Sequence, residues 1–311
     1  MMRRVLVLLA TGSFFAPYAQ ANVISLFETR FDTDFAYAGV GGLRGTGSGT
    51  IQLTGVSGTV QQAYLYWHGP TDSNDPAHNA SLLLNGAPVV GSNIGFSDDN
   101  FWSRSNSQAY RADVTGLVAG NGNYSISGLI PNDSNGASLV VFFDDGDNTN
   151  NVDIVTFDGN DANFANSFDP LGWNISLSGI NYTSGSASLV LGVSDGQSFT
   201  DGSFLLNGTT LLSGNVFEGT SVPQTPGSSV TNGGLWDILA VDITAFMTPG
   251  PVTLTLTHQG VLDALSAIHV SVVLPAGSAP DQPGPLPEPA TLALFGLGLA
   301  GLGFGRRRMH V

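Results

Sequence analysis

The chain has no cysteine and no lysine, and only 11% of its 311 residues are charged. Without cysteine there are no disulfides, thiol nucleophiles or Cys-type zinc sites, so stability must come from the core or from bound ions. All nine basic residues are Arg, and five of them stand near the ends: Arg3, Arg4, Arg306, Arg307 and Arg308. Only Arg30, Arg44, Arg104 and Arg111 lie between, among most of the 24 acids. A body this acidic repels phosphate backbones, which excludes nucleic acid as a partner. Helical periodicity is almost absent between residues 23 and 275.

What fills that stretch is short alternation: "TIQLTGV", "AYLYW", "NYSISG", "NISLSGI", "VTLTLT". Apolar residues at every second position, separated by Gly, Asn, Asp and Ser, predict half-buried antiparallel strands. Asn85-Gly86 and Asn207-Gly208 predict tight hairpins, because both residues tolerate positive φ.

The chain also matches itself. "IQLTGV" from Ile51 returns as "ISLSGI" from Ile175, and Ala63 and Leu65 return as Ala187 and Leu189. "SLLLNGAPVVGSNI" from Ser81 returns as "SFLLNGTTLLSGNV" from Ser203. "ADVTGLV" from Ala112 returns as "VDITAFM" from Val241, and "ASLVVFF" from Ala137 as "IHVSVVL" from Ile268. Five collinear matches predict a duplication of residues 50–143 as 174–274, with a loop insertion between Val216 and Leu239. The expected fold is all-β: two tandem, duplicated antiparallel β-sandwich units of jelly-roll or immunoglobulin-like size, plus a C-terminal hydrophobic helix. One merged, larger sandwich is the alternative. The units are set at 22–165 and 166–275, followed by a Pro-rich linker at 276–289. The paired Asp-[Val/Ile]-Thr at 113–115 and 242–244 is expected to end a strand and cap a turn.

Calcium is the one cofactor the body suggests. In "DDGDNTNNVD", Asp145, Asp147, Thr149, Asn151 and Asp153 alternate, as oxygen ligands of a curled loop do. The spacing resembles the start of an EF-hand loop, but Asn150 stands where Gly is expected and Thr156 where the bidentate Glu is expected. Asp158, Asp161 and Asp169 form a second acid group that folding could add. A polar hairpin loop accounts for the same residues. His68, His78, His258 and His269 lack metal-ligand spacing, and His269 is expected on the less buried side of its strand. There is no G-x-S-x-G elbow and no isolated carboxylate pair, so no enzyme is expected.

Tyr64 and Tyr66 share one face of "AYLYW", opposite Leu65 and Trp67. If exposed, they and Trp102 could stack on sugar rings of an exopolysaccharide. Packing against a partner sheet is the competing reading.

The N-terminus has a basic "MMRR", an apolar "VLVLLATGSFF" and an Ala19-Gln20-Ala21 exit. This predicts a signal peptide at 1–21, cleaved after Ala21, and bacterial export. At the other end, Ala290 to Gly305 is an uncharged, largely apolar stretch. A helix over 290–305 spans about 24 Å, close to the ~30 Å hydrocarbon core. Arg306, Arg307 and Arg308 would hold its end cytoplasmic, anchoring the chain in the inner membrane.

Pro287-Glu288-Pro289, that apolar stretch and the three arginines together resemble a PEP-CTERM sorting signal over residues 287–311. The resemblance implies recognition by an exosortase-type membrane protease, cleavage near the Pro-Glu-Pro and transient anchoring. It further implies a surface or extracellular destination in a Gram-negative, exopolysaccharide-producing host. "AYLYW", "DVTGLV" and "GASLVVFF" loosely resemble β-sandwich domains of exported bacterial surface proteins. Together these imply a structural or adhesive surface or matrix protein, with a carbohydrate-binding module as the alternative and a polysaccharide-acting enzyme third.

Overall fold

The computed structural model describes residues 24–98, 103–168, 171–224 and 234–280. These are all-β, with three short 3₁₀ turns and no α-helix among the described residues. The expected helix at 290–305 and the expected signal peptide lie outside them. Within them no helix is long and apolar enough to cross a membrane.

Nine strands come first: β1 (Ser25–Val40), β2 (Gly49–Leu53), β3 (Thr59–Thr71), β4 (Ser81–Leu84), β5 (Ala87–Val90), β6 (Ser92–Ser97), β7 (Asn106–Asp113), β8 (Gly122–Ser127) and β9 (Gly136–Asp144). Nine more follow: β10 (Val152–Ala162), β11 (Trp173–Tyr182), β12 (Ser188–Ser194), β13 (Gly202–Leu206), β14 (Thr209–Gly214), β15 (Ser221–Gln224), β16 (Trp236–Asp242), β17 (Gly250–His258) and β18 (Ser266–Pro275). Two four-stranded sheets have the orders β2-β8-β4-β5 and β11-β17-β13-β14. One ten-stranded sheet has the order β15-β16-β12-β18-β10-β1-β9-β3-β7-β6. All pairings are antiparallel except β15 with β16, and β15 occupies the expected loop insertion.

Hairpin chemistry fixes the register locally. Asn85-Gly86 and Asn207-Gly208 join β4 to β5 and β13 to β14, all four with positive φ. Each Asn Oδ1 also accepts a backbone N–H from a neighbouring strand, Ser125 at 2.7 Å and Thr255 at 2.8 Å. Asp113 and Asp242 end β7 and β16 and accept the N–H of Thr115 at 2.9 Å and Thr244 at 2.8 Å. Those threonine hydroxyls accept the N–H of Ala63 at 3.0 Å and Ala187 at 2.9 Å.

β1 joins the two parts of the long sheet. Its first half pairs with β10 and its second half with β9, with an irregularity between Arg30 and Thr33. Asp32 sits there at φ 53, a conformation Asp tolerates better than most residues. Of the expected first unit, β10 pairs across to β18.

Three apolar clusters hold the layers. Leu65, Trp67, Leu139 and Val141 of the long sheet pack on Leu82, Leu84, Tyr124 and Ile126 of one small sheet. Leu189, Leu191, Val270 and Val272 pack on Trp173, Phe204, Leu254 and Leu256 of the other. The third cluster joins the opposite faces of the long sheet's two parts: Tyr66, Ala109 and Phe142 meet Ile154, Val190, Ile238 and Ile268. Trp67, Trp173 and Trp236 are each fully buried. Each removes about 150–250 Å² from water, the largest single contributions to a core without disulfides.

Candidate functional site

Residues 145–151 form the turn between β9 and β10, and its acids bond to the turn itself. Asp145 Oδ1 accepts the N–H of Asp147 at 2.8 Å, and Asp147 Oδ1 accepts the N–H of Thr149 at 3.0 Å. Asp145 Oδ2 accepts the Asn150 amide at 3.1 Å and the Ser57 hydroxyl at 3.3 Å. The N–H of Asp147 does most to hold the Asp145 carboxyl below its ordinary range; the Thr149 hydroxyl does the same for Asp147. Asn151 donates its amide to Asp32 at 3.1 Å. Asp153 is buried inside β10, and its two oxygens accept the N–H of Asp32 at 3.1 Å and of Ala279 at 3.0 Å. Asp158, from the second acid group, accepts from Arg111 and from the Tyr66 hydroxyl. Asp161 is buried, and Asp169 lies outside the described residues. Among the described residues no three His, Asp or Glu side chains gather as a metal site requires.

Tyr64 and Tyr66 correct the expectation of an exposed sugar-stacking face. Tyr66 is fully buried and Tyr64 nearly so, within the layer between the two parts of the long sheet. β3 is covered on both faces, so no side of "AYLYW" reaches solvent. Trp102 lies outside the described residues.

His269 corrects the expectation of a less buried histidine. It is completely buried, and burial pushes its pKa down to about 3. Its Nε2 bonds to the Ser138 hydroxyl at 2.9 Å, and its ring lies 4.9 Å from that of Tyr66. Room for it comes from Gly192, its cross-strand neighbour on β12, where a Cβ would lie 2.0 Å from Nε2. His68 is buried in the same layer with Nδ1 2.7 Å from the Ser194 hydroxyl. Beside it Arg44 bonds to Asn135 at 2.6 Å and Asp195 at 2.9 Å. Sequence reading missed this buried polar layer, which bonds the first nine strands to the second nine. His258 lies 5.0 Å from the Trp173 ring and 4.4 Å from Phe204, and burial lowers its pKa to about 4. His78 is half-buried, with Nε2 2.8 Å from Asp133 Oδ2.

The remaining site is where the chain leaves the body. After β18, Ser278 N–H closes a turn on the Pro275 carbonyl at 3.0 Å. Ser278 then accepts the N–H of Asn181 at 3.0 Å, and Ala279 donates to Asp153. The first residues of the expected 276–289 linker are therefore tied to the body.

The described residues thus form an all-β body whose last described residue is Pro280. The family model for the PEP-CTERM protein-sorting motif matches residues 285–308, so the chain carries that sorting motif at its C-terminus. The motif implies export, processing by an exosortase, which is a membrane protein, and sorting toward the cell surface. No curated protein matches the chain.

Proposed function

We propose that this is a non-enzymatic surface or extracellular-matrix protein of a Gram-negative bacterium, whose β-body acts structurally or in adhesion. It is held transiently in the inner membrane by the segment 290–305 and released when an exosortase cuts near Pro287-Glu288-Pro289. The carrying observation is the sorting motif at 285–308, which begins five residues beyond Pro280, where the described fold ends. Mass spectrometry of the extracellular protein tests it. Peptides from the body are expected and peptides from 290–311 are not. Intact tails in most molecules would overturn processing.

The body is read as two copies of one nine-stranded unit, β1–β9 and β10–β18. The orders β2-β8-β4-β5 and β9-β3-β7-β6 recur as β11-β17-β13-β14 and β18-β12-β16-β15, which supports that reading. A structural task suits it, because buried polar pairs such as His68 with Ser194 and Ser138 with His269 bond one set of strands to the other. Deleting the gene should weaken cell cohesion or matrix yield; unchanged values would overturn the adhesive role. The carbohydrate reading loses Tyr64 and Tyr66 to the core. Calcium at 144–153 would have to displace the turn's own hydrogen bonds.

A further inference from the structure

We propose that the joint between β1–β9 and β10–β18 is built like a contact between subunits, and that its other partner is a second copy of this chain, reached by exchange of halves. Such exchange gives the structural role proposed above its partner, and it rests on the reading of the body as two copies. The long sheet has the order β15-β16-β12-β18-β10-β1-β9-β3-β7-β6, five strands of one set beside five of the other. Counterpart strands stand at equal distances from its middle. There β1 and β10, themselves counterparts, lie side by side and antiparallel. This is the arrangement of a twofold axis, as in a dimer that joins two sheets edge to edge. The third apolar cluster repeats it. Tyr66 and Val190 each follow a matched leucine, Leu65 and Leu189, and Ala109 and Ile238 each stand three residues before the matched Ala112 and Val241. All four lie in that one cluster, so both sets offer the same face to the joint.

The two sides of the joint do not have to share a chain. They are held by the β1–β10 ladder and by side-chain bonds: Tyr66 to Asp158 at 3.1 Å, His68 to Ser194 at 2.7 Å and Ser138 to His269 at 2.9 Å. A second chain carrying the same residues can make each of them. The covalent link is residues 145–151, between the end of β9 and the start of β10. Those strands flank β1, so the link spans two strand spacings, about 10 Å. Extended, its seven residues reach about 23 Å. Its bonds from Asp147 to Asp145 and from Thr149 to Asp147 are exposed, so water replaces them when the turn opens. Closed and exchanged forms thus share the same joint contacts, and the link and the concentration decide between them.

Refolding tests the exchange on the full chain in mild detergent. Thr29 of β1 and Val155 of β10 are ladder partners, and the chain has no cysteine of its own. Thr29→Cys with Val155→Cys is refolded from urea and then oxidised, at about 1 µM and at about 1 mM, the effective concentration within one flexibly linked chain. At the lower concentration the disulfide should form within one chain. At the higher one it should join two chains, seen as a covalent dimer on a non-reducing gel. Deleting residues 146–150 leaves Asp145 and Asn151 to pass over β1, a strained link that should favour the exchanged dimer at both concentrations. Disulfides within single chains throughout, with and without the deletion, would overturn the proposal and leave the two-copy reading standing. Equal dimer from either single-cysteine variant would place the contact elsewhere and overturn it too. If the pair fails to oxidise, light scattering on the cysteine-free deletion variant decides. A dimer with native β circular dichroism supports exchange, and a native-like monomer overturns it.

Discussion

Ser138 and His269 stand at matching positions in the chain's self-comparison, 131 residues apart, and they bond to each other at 2.9 Å. The two sets of strands therefore meet where their own counterparts touch, one supplying a hydroxyl and the other an imidazole. A small side chain at one position makes room for a large one at the other.

Gly192 has the same relation to His269 within one sheet. An added methyl at 192 would sit 2.0 Å from the ring, so Gly192→Ala must displace a fully buried side chain. Overpacking of this kind costs about 1–3 kcal/mol. Adding His269→Ser should recover at least half the urea midpoint lost in Gly192→Ala. No recovery would mean that another neighbour sets the demand for glycine.

Acid stability follows from five buried groups of opposite sense. Burial pushes Asp201 up to about 6 and Asp263 up to about 7. It pushes His68 and His269 down to about 3 and His258 down to about 4. The raised aspartates favour the fold fully below their unfolded pKa, and that contribution is lost as pH rises through about 6–7. The lowered histidines favour it above their unfolded pKa, and theirs is lost as pH falls toward about 3–4. Between about pH 4 and 6 the unfolded chain thus binds three protons and the folded chain two, a net of one. Stability should fall by about 1.4 kcal/mol per pH unit on acidification from these groups. Asp201→Asn with Asp263→Asn removes the opposing pair, so urea midpoints between pH 6.5 and 5 should fall about three times as steeply. An unchanged slope would show that these aspartates are ionised in the folded chain.

The turn at 144–153 should behave as a turn. Its carboxylates already accept N–H groups two residues on, the arrangement Asp adopts in Asx turns. Calcium titration by calorimetry should give no heat, and EDTA should leave Tm unchanged. Heat together with an EDTA-sensitive Tm would establish an ion there.

Features set by neighbouring residues could be read from sequence: the Asn-Gly hairpins, the Asp-x-Thr ends of β7 and β16, and strands in nearly the expected places. Pairings that join distant segments could not. β1 and β10 bring the ninth strand to each set, yet "FETRFDTDF" and "DGNDANF" break the apolar alternation with charged and polar residues, and their pairings are to distant strands. The third layer was partly visible. "ASLVVFF" and "IHVSVVL" are continuous apolar runs, the mark of strands covered on both faces, and β9 and β18 are buried almost throughout. Reading them as half-buried placed His269 on the less buried side of its strand and left Tyr66 of β3 open between a sugar-stacking face and packing against a partner sheet. At 144–153 the sequence showed oxygen ligands at calcium spacing, but the same spacing serves a turn, and only the hydrogen bonds separate the two.

The capping threonines can test whether the two sets of strands act independently. Thr115 accepts the N–H of Ala63 within β3 and Thr244 that of Ala187 just before β12, and they share no partner. Thr115→Val and Thr244→Val each leave that N–H unpaired, at about 1–3 kcal/mol. Thr115 also accepts the Gln62 amide at 2.8 Å, so its replacement should cost more. If each set is held by its own core, the costs in the double variant should sum to within about 0.5 kcal/mol. The continuous sheet through β1 and the Ser138–His269 layer give a physical route for coupling. A departure of more than about 1 kcal/mol in urea denaturation would therefore mean that the two sets unfold as one body.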